Sequence, residues 1–256
     1  MTKIEWCTET WNPVTGCSHS GSPGCDNCYA RRMAYRLRGR CGYPHVAPFS
    51  IVFHRSRLNL PFKWRKPRLI FVNSMGDLFH EEVPLRVIFE VFKVMKANSR
   101  HTFLVLTKRS RRLQEILMGE IPYIKNKTEF EDDCWPLDYL FQNVWFGVTV
   151  ENQEVAYERI PDLMFTPDIK RFISVEPMLG PIDLRPYLDK RNFVNPIHWV
   201  ICGAETGPGK RLMDLDWAYD LYDQCRMNDK PFFFKKDSTG RQAGLPREFP
   251  KGIWQN

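Results

Sequence analysis

Six short apolar runs recur along this chain with room for a helix between most of them: Leu69–Val72, Thr102–Leu106, Val144–Val150, Arg171–Val175, His198–Cys202 and Phe232–Phe234. Near-continuous runs of β-branched and aromatic residues suit strands covered on both faces, the condition inside a parallel sheet. Between them, Leu85–Ala97, Leu113–Leu117, Val155–Met164 and Trp217–Met227 carry apolar residues at helical spacing. Ahead of them, Tyr29–Leu37 places Ala30, Met33, Ala34 and Leu37 on one stripe and arginines on the other. With one more strand leading into Cys17, the chain holds about seven strand–helix units. The expected fold class is α/β, a partial or open (β/α) barrel of mostly parallel strands. At 256 residues it is expected to form a single domain over residues 1–256. The acidic stretch about 119–143, with Glu129, Glu131, Asp132 and Asp133, lacks this periodicity and reads as an insertion.

In such barrels the functional groups sit just beyond the C-terminal ends of the strands. Here those positions are polar throughout: Asn73-Ser74-Met75-Gly76-Asp77, Thr107-Lys108-Arg109, Glu151-Asn152-Gln153, Glu176-Pro177, Gly203 to Arg211, and Lys235-Lys236. Each has an ordinary alternative. Asp77 suits a helix cap, and Glu151 and Glu205 suit ion pairs with nearby Lys or Arg. The Gly203–Gly209 loop lacks the G-x4-G-K-[ST] spacing of a phosphate-binding P-loop. A hydrolytic metal site built from Asp77, Glu151 and Glu176 would need a His-rich or paired-carboxylate motif, and none is evident.

Into the first of these positions falls a loop with three cysteines in twelve residues, Cys17, Cys25 and Cys28, separated by small and turn-forming residues. Two thiolates at C-x2-C reach one metal centre from a single turn, and a third returning across a Gly/Pro loop fills a third position. The loop, residues 12–32, thus leaves a fourth position open. His19 could close it as a Cys3His zinc site, which would make the chain a zinc-containing nucleic-acid-binding protein. An exchangeable ligand there would make it an enzyme. Of the other cysteines, Cys202 ends a strand near the proposed site, where a thiol could serve a radical reaction, although a buried cysteine is common in cores.

Charge adds a second constraint. Residues 1–68 hold twelve Lys/Arg against three acids, while the remainder holds 25 against 27, so the net charge of +7 originates entirely at the front. Clustered cations are the footprint of a phosphate-bearing partner, and residues 31–68 are the expected DNA contact; a solvated basic helix is the plainer account. No run of eighteen apolar residues appears, and Met-Thr-Lys-Ile-Glu-Trp lacks the pattern of a secretory signal. The expected location is the cytoplasm, with no membrane association. Eight cysteines in a reducing compartment are read as ligands or core residues before disulfides.

The run Asn12-Pro13-Val-Thr-Gly16-Cys17-Ser-His19, closing in Gly24-Cys25-Asp-Asn-Cys28-Tyr29-Ala30-Arg31, resembles the cluster loop of radical S-adenosyl-L-methionine (SAM) proteins, among them the spore photoproduct lyase group. The rest of the chain resembles a phage- and bacteria-encoded family known only as a domain of unknown function. The matching stretches are Phe71-Val-Asn-Ser-Met-Gly-Asp-Leu-Phe-His-Glu, Leu106-Thr-Lys-Arg, Trp145-Phe-Gly-Val-Thr-Val-Glu-Asn, Ser174-Val-Glu-Pro and Gly203-Ala-Glu-Thr-Gly-Pro. The resemblance implies a barrel of the radical SAM type in which Cys17, Cys25 and Cys28 bind three irons of a [4Fe–4S] cluster and SAM takes the fourth. Reduction of SAM then yields a 5′-deoxyadenosyl radical, with electrons supplied by a reductase or flavodoxin-type donor.

Carried residue by residue, the resemblance puts Ser74, Met75, Gly76 and Asp77 at the SAM amino group, with Asp77 as the contacting side chain. Glu151 and Asn152 are placed at the ribose, Glu205 near adenosine, and Glu176 with Cys202 at the substrate. The implied substrate is a nucleobase or nucleotide, with isomerisation or modification of a thymine derivative in phage DNA as the specific expectation and the host cytoplasm as the setting. Two features depart from the family pattern. The usual C-x3-C-x2-C is here C-x7-C-x2-C, so the loop must bulge between fixed ends. The position before the last cysteine, commonly aromatic, is Asn27, with Tyr29 following instead.

Overall fold

The computed structural model describes residues 4–119, 142–189, 191 and 196–253. The expected acidic insertion falls almost wholly outside the described residues, as does Cys134. Seven parallel strands form one sheet in the order β1-β4-β5-β6-β7-β8-β9: β1 Glu9–Trp11, β4 Leu69–Val72, β5 Thr102–Thr107, β6 Val144–Thr149, β7 Lys170–Val175, β8 Trp199–Cys202 and β9 Phe232–Phe234. The sheet curls into a half-barrel, the expected open barrel. Two further short strands, β2 Val14–Thr15 and β3 Val52–Phe53, pair antiparallel beside it. The helices are α1 Tyr29–Arg36, α2 Arg55–Leu58, α3 Leu85–Ala97, α4 Ser110–Leu117, α5 Gln153–Met164, α6 Arg185–Leu188 and α7 Leu215–Met227. No helix among the described residues is long and apolar enough to cross a membrane.

Alternation along each strand sorts the core into two layers. Outward-facing Ile70, Val72, Phe103, Val105, Phe146, Val148, Ile173, Val175, Val200 and Cys202 join residues of α3, α4, α5 and α7 in one cluster. Inward-facing Phe71, Leu104, Trp145, Phe172, Trp199, Ile201 and Phe233 form a second with Trp6 and Ile253. The interior is mainly aromatic, and it fits because small residues make room. A Cβ added at Gly147, paired in register with Phe172, would lie 2.7 Å from that ring.

Followed toward their C-terminal ends, the inward positions change character. On β6 they run Trp145, Gly147, Thr149 and then Glu151; on β7, Phe172, Ser174 and then Glu176; on β9, Phe233 and then Lys235. The barrel therefore has an aromatic floor and a charged rim. Folding at the rim is consistent with this only because the buried charges find partners.

Candidate functional site

The cysteine loop enters from β2, which ends at Thr15, and crosses onto the rim at Gly16. This glycine is obligatory twice over. Its φ is +93°, and an added Cβ would stand 2.0 Å from the Ser50 carbonyl oxygen. Its NH donates to the Met75 carbonyl (2.9 Å), pairing the loop edge-on with the turn after β4. That turn is organised by Asn12, whose side-chain oxygen accepts from Met75 N (2.9 Å) and Ser74 Oγ (3.3 Å). Ser74, Met75 and Gly76 are thus brought directly beneath the start of the cysteine loop. Asn73 holds a left-handed backbone (φ +56°), a conformation that Asn tolerates better than most residues, and its side-chain oxygen accepts from Val14 N (3.2 Å).

Beyond Gly16, three thiols line one side of the rim, each half-buried and none in a disulfide. Cys17 receives a hydrogen bond from Arg109 Nη1 (3.3 Å), and Cys25 Sγ lies 3.3 Å from Ser20 Oγ. Cys28 immediately precedes α1 and makes no side-chain capping hydrogen bond, and the hydroxyl of Tyr29 beside it donates to the Ser74 carbonyl. Burial and the neighbouring Asp77 carboxylate push the Cys17 thiol up to about 12, against the opposing pull of Arg109. Binding any metal group at Cys17 must therefore displace a proton that burial holds in place.

Arg109 is itself fixed from several directions. It donates to Asp77 (3.2 Å), to both oxygens of Glu81 (3.1 and 2.9 Å) and to Ser18 Oγ (3.1 Å). Asp77 accepts four hydrogen bonds, from Thr107 Oγ1 (2.7 Å), Phe79 N (3.0 Å), Lys108 N (3.1 Å) and Arg109. Its carboxylate is filled by the chain's own donors and orients Arg109 toward Cys17. His80 completes this corner, with Nε2 2.7 Å from Ser18 Oγ and Nδ1 accepting from Glu82 N (3.1 Å).

The middle of the loop is pinned by Glu151, which is fully buried. One carboxylate oxygen accepts from Ser22 Oγ and Lys108 Nζ, the other from Arg159 Nη1 (3.3 Å). Gly24 passes so close that a Cβ there would meet Glu151 at 2.5 Å and Lys108 at 2.8 Å. The four extra residues of C-x7-C thus form a bulge whose Ser22 plugs into the rim, followed by a single 3-10 turn, Pro23–Cys25. The far end is held by Glu205, which accepts from Asn27 Nδ2 (2.9 Å), Arg211 N (2.8 Å) and Arg211 Nε (3.0 Å). Burial works against ionisation of Glu205, but the Arg211 hydrogen bonds, with a smaller share from Asn27, outweigh it and hold its pKa down to about 2.

Cys17, Cys25, Cys28, Ser74, Met75, Gly76, Asp77, Glu151 and Glu205 are therefore gathered at one rim. Glu176 joins them through an ion pair with Lys235. Asn152 takes the ordinary alternative, its side chain capping α5 by accepting from Val155 N (3.0 Å). Cys202 is not brought to the rim. It is fully buried on the outward face against Met178 (Sγ to Sδ, 3.6 Å), and burial keeps its thiol protonated. His80, Arg159, Ser22 and Asn12 were absent from the expected site. His80 and Asn12 stand inside conspicuous motifs, whereas Arg159 gave no signal beyond a charge on a helix's buried stripe.

Among the described residues, no three His, Cys, Asp or Glu side chains converge as the ligands of one metal ion would. His19, the candidate fourth zinc ligand, has both ring nitrogens engaged, Nε2 with Asp26 (3.0 Å) and Nδ1 as acceptor from Gly21 N (3.0 Å). The loop thus presents three half-buried cysteines, none of them in a disulfide, with His19 engaged by Asp26 and Gly21.

No curated protein and no solved structure matches this chain. One family profile does, over residues 1–247, which takes in every element of the rim, and the chain belongs to that family, described as "Protein of unknown function (DUF5131)".

Proposed function

We propose that the protein is a radical SAM enzyme acting on a nucleobase or nucleotide, with a thymine derivative in DNA as the specific substrate. The observation that carries this reading is the donor set at the rim: three free thiols in one loop, with His19 committed elsewhere. Cys17, Cys25 and Cys28 would hold the cluster, which when bound supplies one electron to the sulfonium of SAM. The chain's own contribution is placement. Arg109 directs a cationic donor at Cys17, and Asp77 holds Arg109 in that direction. Asn12, Gly16 and Tyr29 fix the Ser74–Gly76 turn against the cysteine loop. Glu176 and Lys235 present a paired acid and base on the same rim, where a substrate proton could be exchanged. The substrate class rests on the basic front of the chain and on the resemblance of its cysteine loop to a thymine-acting group.

The test is anaerobic purification followed by iron and sulfide analysis, an absorbance spectrum, and an assay for 5′-deoxyadenosine on reduction with SAM. Iron and sulfide near four per chain are expected for such a cluster, together with 5′-deoxyadenosine that disappears in Cys25→Ala. Stoichiometric zinc without iron would overturn the enzyme reading in favour of a zinc-containing nucleic-acid-binding protein.

A further inference from the structure

Beside the cysteine rim, an open concavity of about 600 Å³ lies between α1 and the glycine loop that follows β8. Arg31, Arg36 and Tyr35 of α1 line it, with Cys28 and Asn27 along its inner edge and Pro208 opposite. Its size is that of ligand clefts generally. Arg32 fixes the two walls by donating to the Thr206 carbonyl (2.8 Å), so the concavity is a built feature of the packed loop and helix. Arg31 and Arg36 are exposed, and neither forms an ion pair with an acid among the described residues. The one carboxylate in the lining, Asp26, is already matched by Arg211 (3.3 Å) and His19 (3.0 Å).

Two features narrow the occupant. Arg31 and Arg36 are about 7.5 Å apart along the helix axis, which suits two separate anionic groups on a chain better than a single ion. Tyr35 lies between them, half-exposed, with the guanidinium of Arg38 5.5 Å from its ring centre. Cations tracking a backbone with an aromatic ring among them are the means by which unstacked nucleic acid is held. A duplex keeps its bases stacked and would engage the arginines alone.

We propose that this concavity is the track for a single-stranded nucleic-acid segment, with phosphates on Arg31 and Arg36 and a base against Tyr35, running past Cys28 to the rim. The assignment names the substrate class of the site proposed above and rests on that reading.

The measurement is fluorescence anisotropy of a labelled thymine-containing 12-mer, single-stranded and as its duplex, on the full chain as purified, across a salt series. The single strand is expected to bind more tightly than the duplex. Arg31→Glu with Arg36→Glu should weaken it more than tenfold and reduce the steepness of the salt dependence by about 1.4 in log–log slope, two contacts at about 0.7 each. Tyr35→Ala should weaken the single strand by fivefold or more, as loss of one stacked base does, and leave the duplex nearly unchanged. Arg226→Glu on α7, an exposed arginine on another element, should change nothing. The milder Arg31→Gln with Arg36→Gln, checked by thermal melting, separates lost contacts from lost folding. Equal or tighter duplex binding, or a single-strand affinity untouched by the α1 variants, would overturn the proposal. Iron content of the same samples keeps the two ideas apart: iron without single-strand binding sinks the track alone, and binding without iron sinks the radical reading alone.

Discussion

Of the contacts that hold the cysteine loop to the barrel, three run through carboxylates, and the inner two of these differ in kind from the outer one. Inside, Glu151 and Asp77 are almost inaccessible and face Lys108, Arg159 and Arg109, so each carboxylate sits where water cannot replace a lost partner. Outside, Glu205 is buried but Arg211 is more than one third exposed, and Asn27 is half-buried. Interactions of the same chemical type therefore carry different energetic weight. Removing one member of a buried pair strands a charge, at a cost of about 3–5 kcal/mol, whereas a pair whose cation stays partly in water is screened and contributes less. The inner points are therefore expected to unfold with the barrel, and the outer one to act as a clasp that opens while the barrel stays intact.

The strongest way to break this contrast is Glu151→Ala. It leaves Lys108 and the fully enclosed Arg159 without their carboxylate and frees Ser22. A loss of about 3–5 kcal/mol in urea unfolding is expected, and a loss of about 2 kcal/mol or less would show that the inner anchor carries no more weight than the outer. Next comes Arg109→Gln, with an expected cost of about 2–3 kcal/mol because Asp77 loses its charged donor. The same change removes the donor to Cys17. In the iron-loaded protein it should lower the midpoint potential, since a cationic donor favours the more negative reduced cluster. An unchanged potential in a redox titration would reduce Arg109 to a structural role.

Much of the fold was legible because its strands are covered on both faces. Leu69–Val72 and Phe232–Phe234 form strands over the same residues that their apolar content marks, and the other four each differ by one residue at one end. The polar strand ends were legible as a group. Their individual roles depended on side-chain direction, which composition does not carry but parity does. Counting by twos from Trp199 passes through Ile201 and Gly203 to Glu205, all inward, and so puts Cys202 outward with Val200. That count excludes Cys202 from the rim without any coordinates. Partnering was not legible. Glu151 could have met a ribose or a lysine equally well on sequence, and only the fold brings Ser22 and Arg159 to it from 129 and 8 residues away.

The clasp should reveal itself through pH. Glu205 has a folded pKa of about 2 against an ordinary value of 4.5. A carboxyl with a depressed folded pKa stabilises the native state fully above its ordinary value, and that contribution is lost as pH falls through the folded one. The window is therefore about pH 4.5 down to 2. Wild type is expected to lose about 2 kcal/mol more than Glu205→Gln across it, a figure reduced for the solvent that screens Arg211. Parallel unfolding curves for the two proteins through that range would show that the clasp holds nothing.

The smallest expected effect is also the sharpest for the comparison. Asn27 donates to Glu205 (2.9 Å) and to the Gly209 carbonyl (3.0 Å), joining the cysteine loop to the glycine loop that faces it. Both hydrogen bonds are near solvent, so Asn27→Ala should cost under about 1 kcal/mol in global unfolding. Its local consequence should be larger than that number suggests, because a clasp that opens without unfolding the barrel is seen in exchange rates, not in melting. Amide hydrogen exchange in residues 24–28 and 205–211 should accelerate several-fold in Asn27→Ala while β5 and β6 keep their protection. Equal acceleration in the strands would mean that the outer clasp and the inner anchors form one cooperative unit, and the distinction between them would fall.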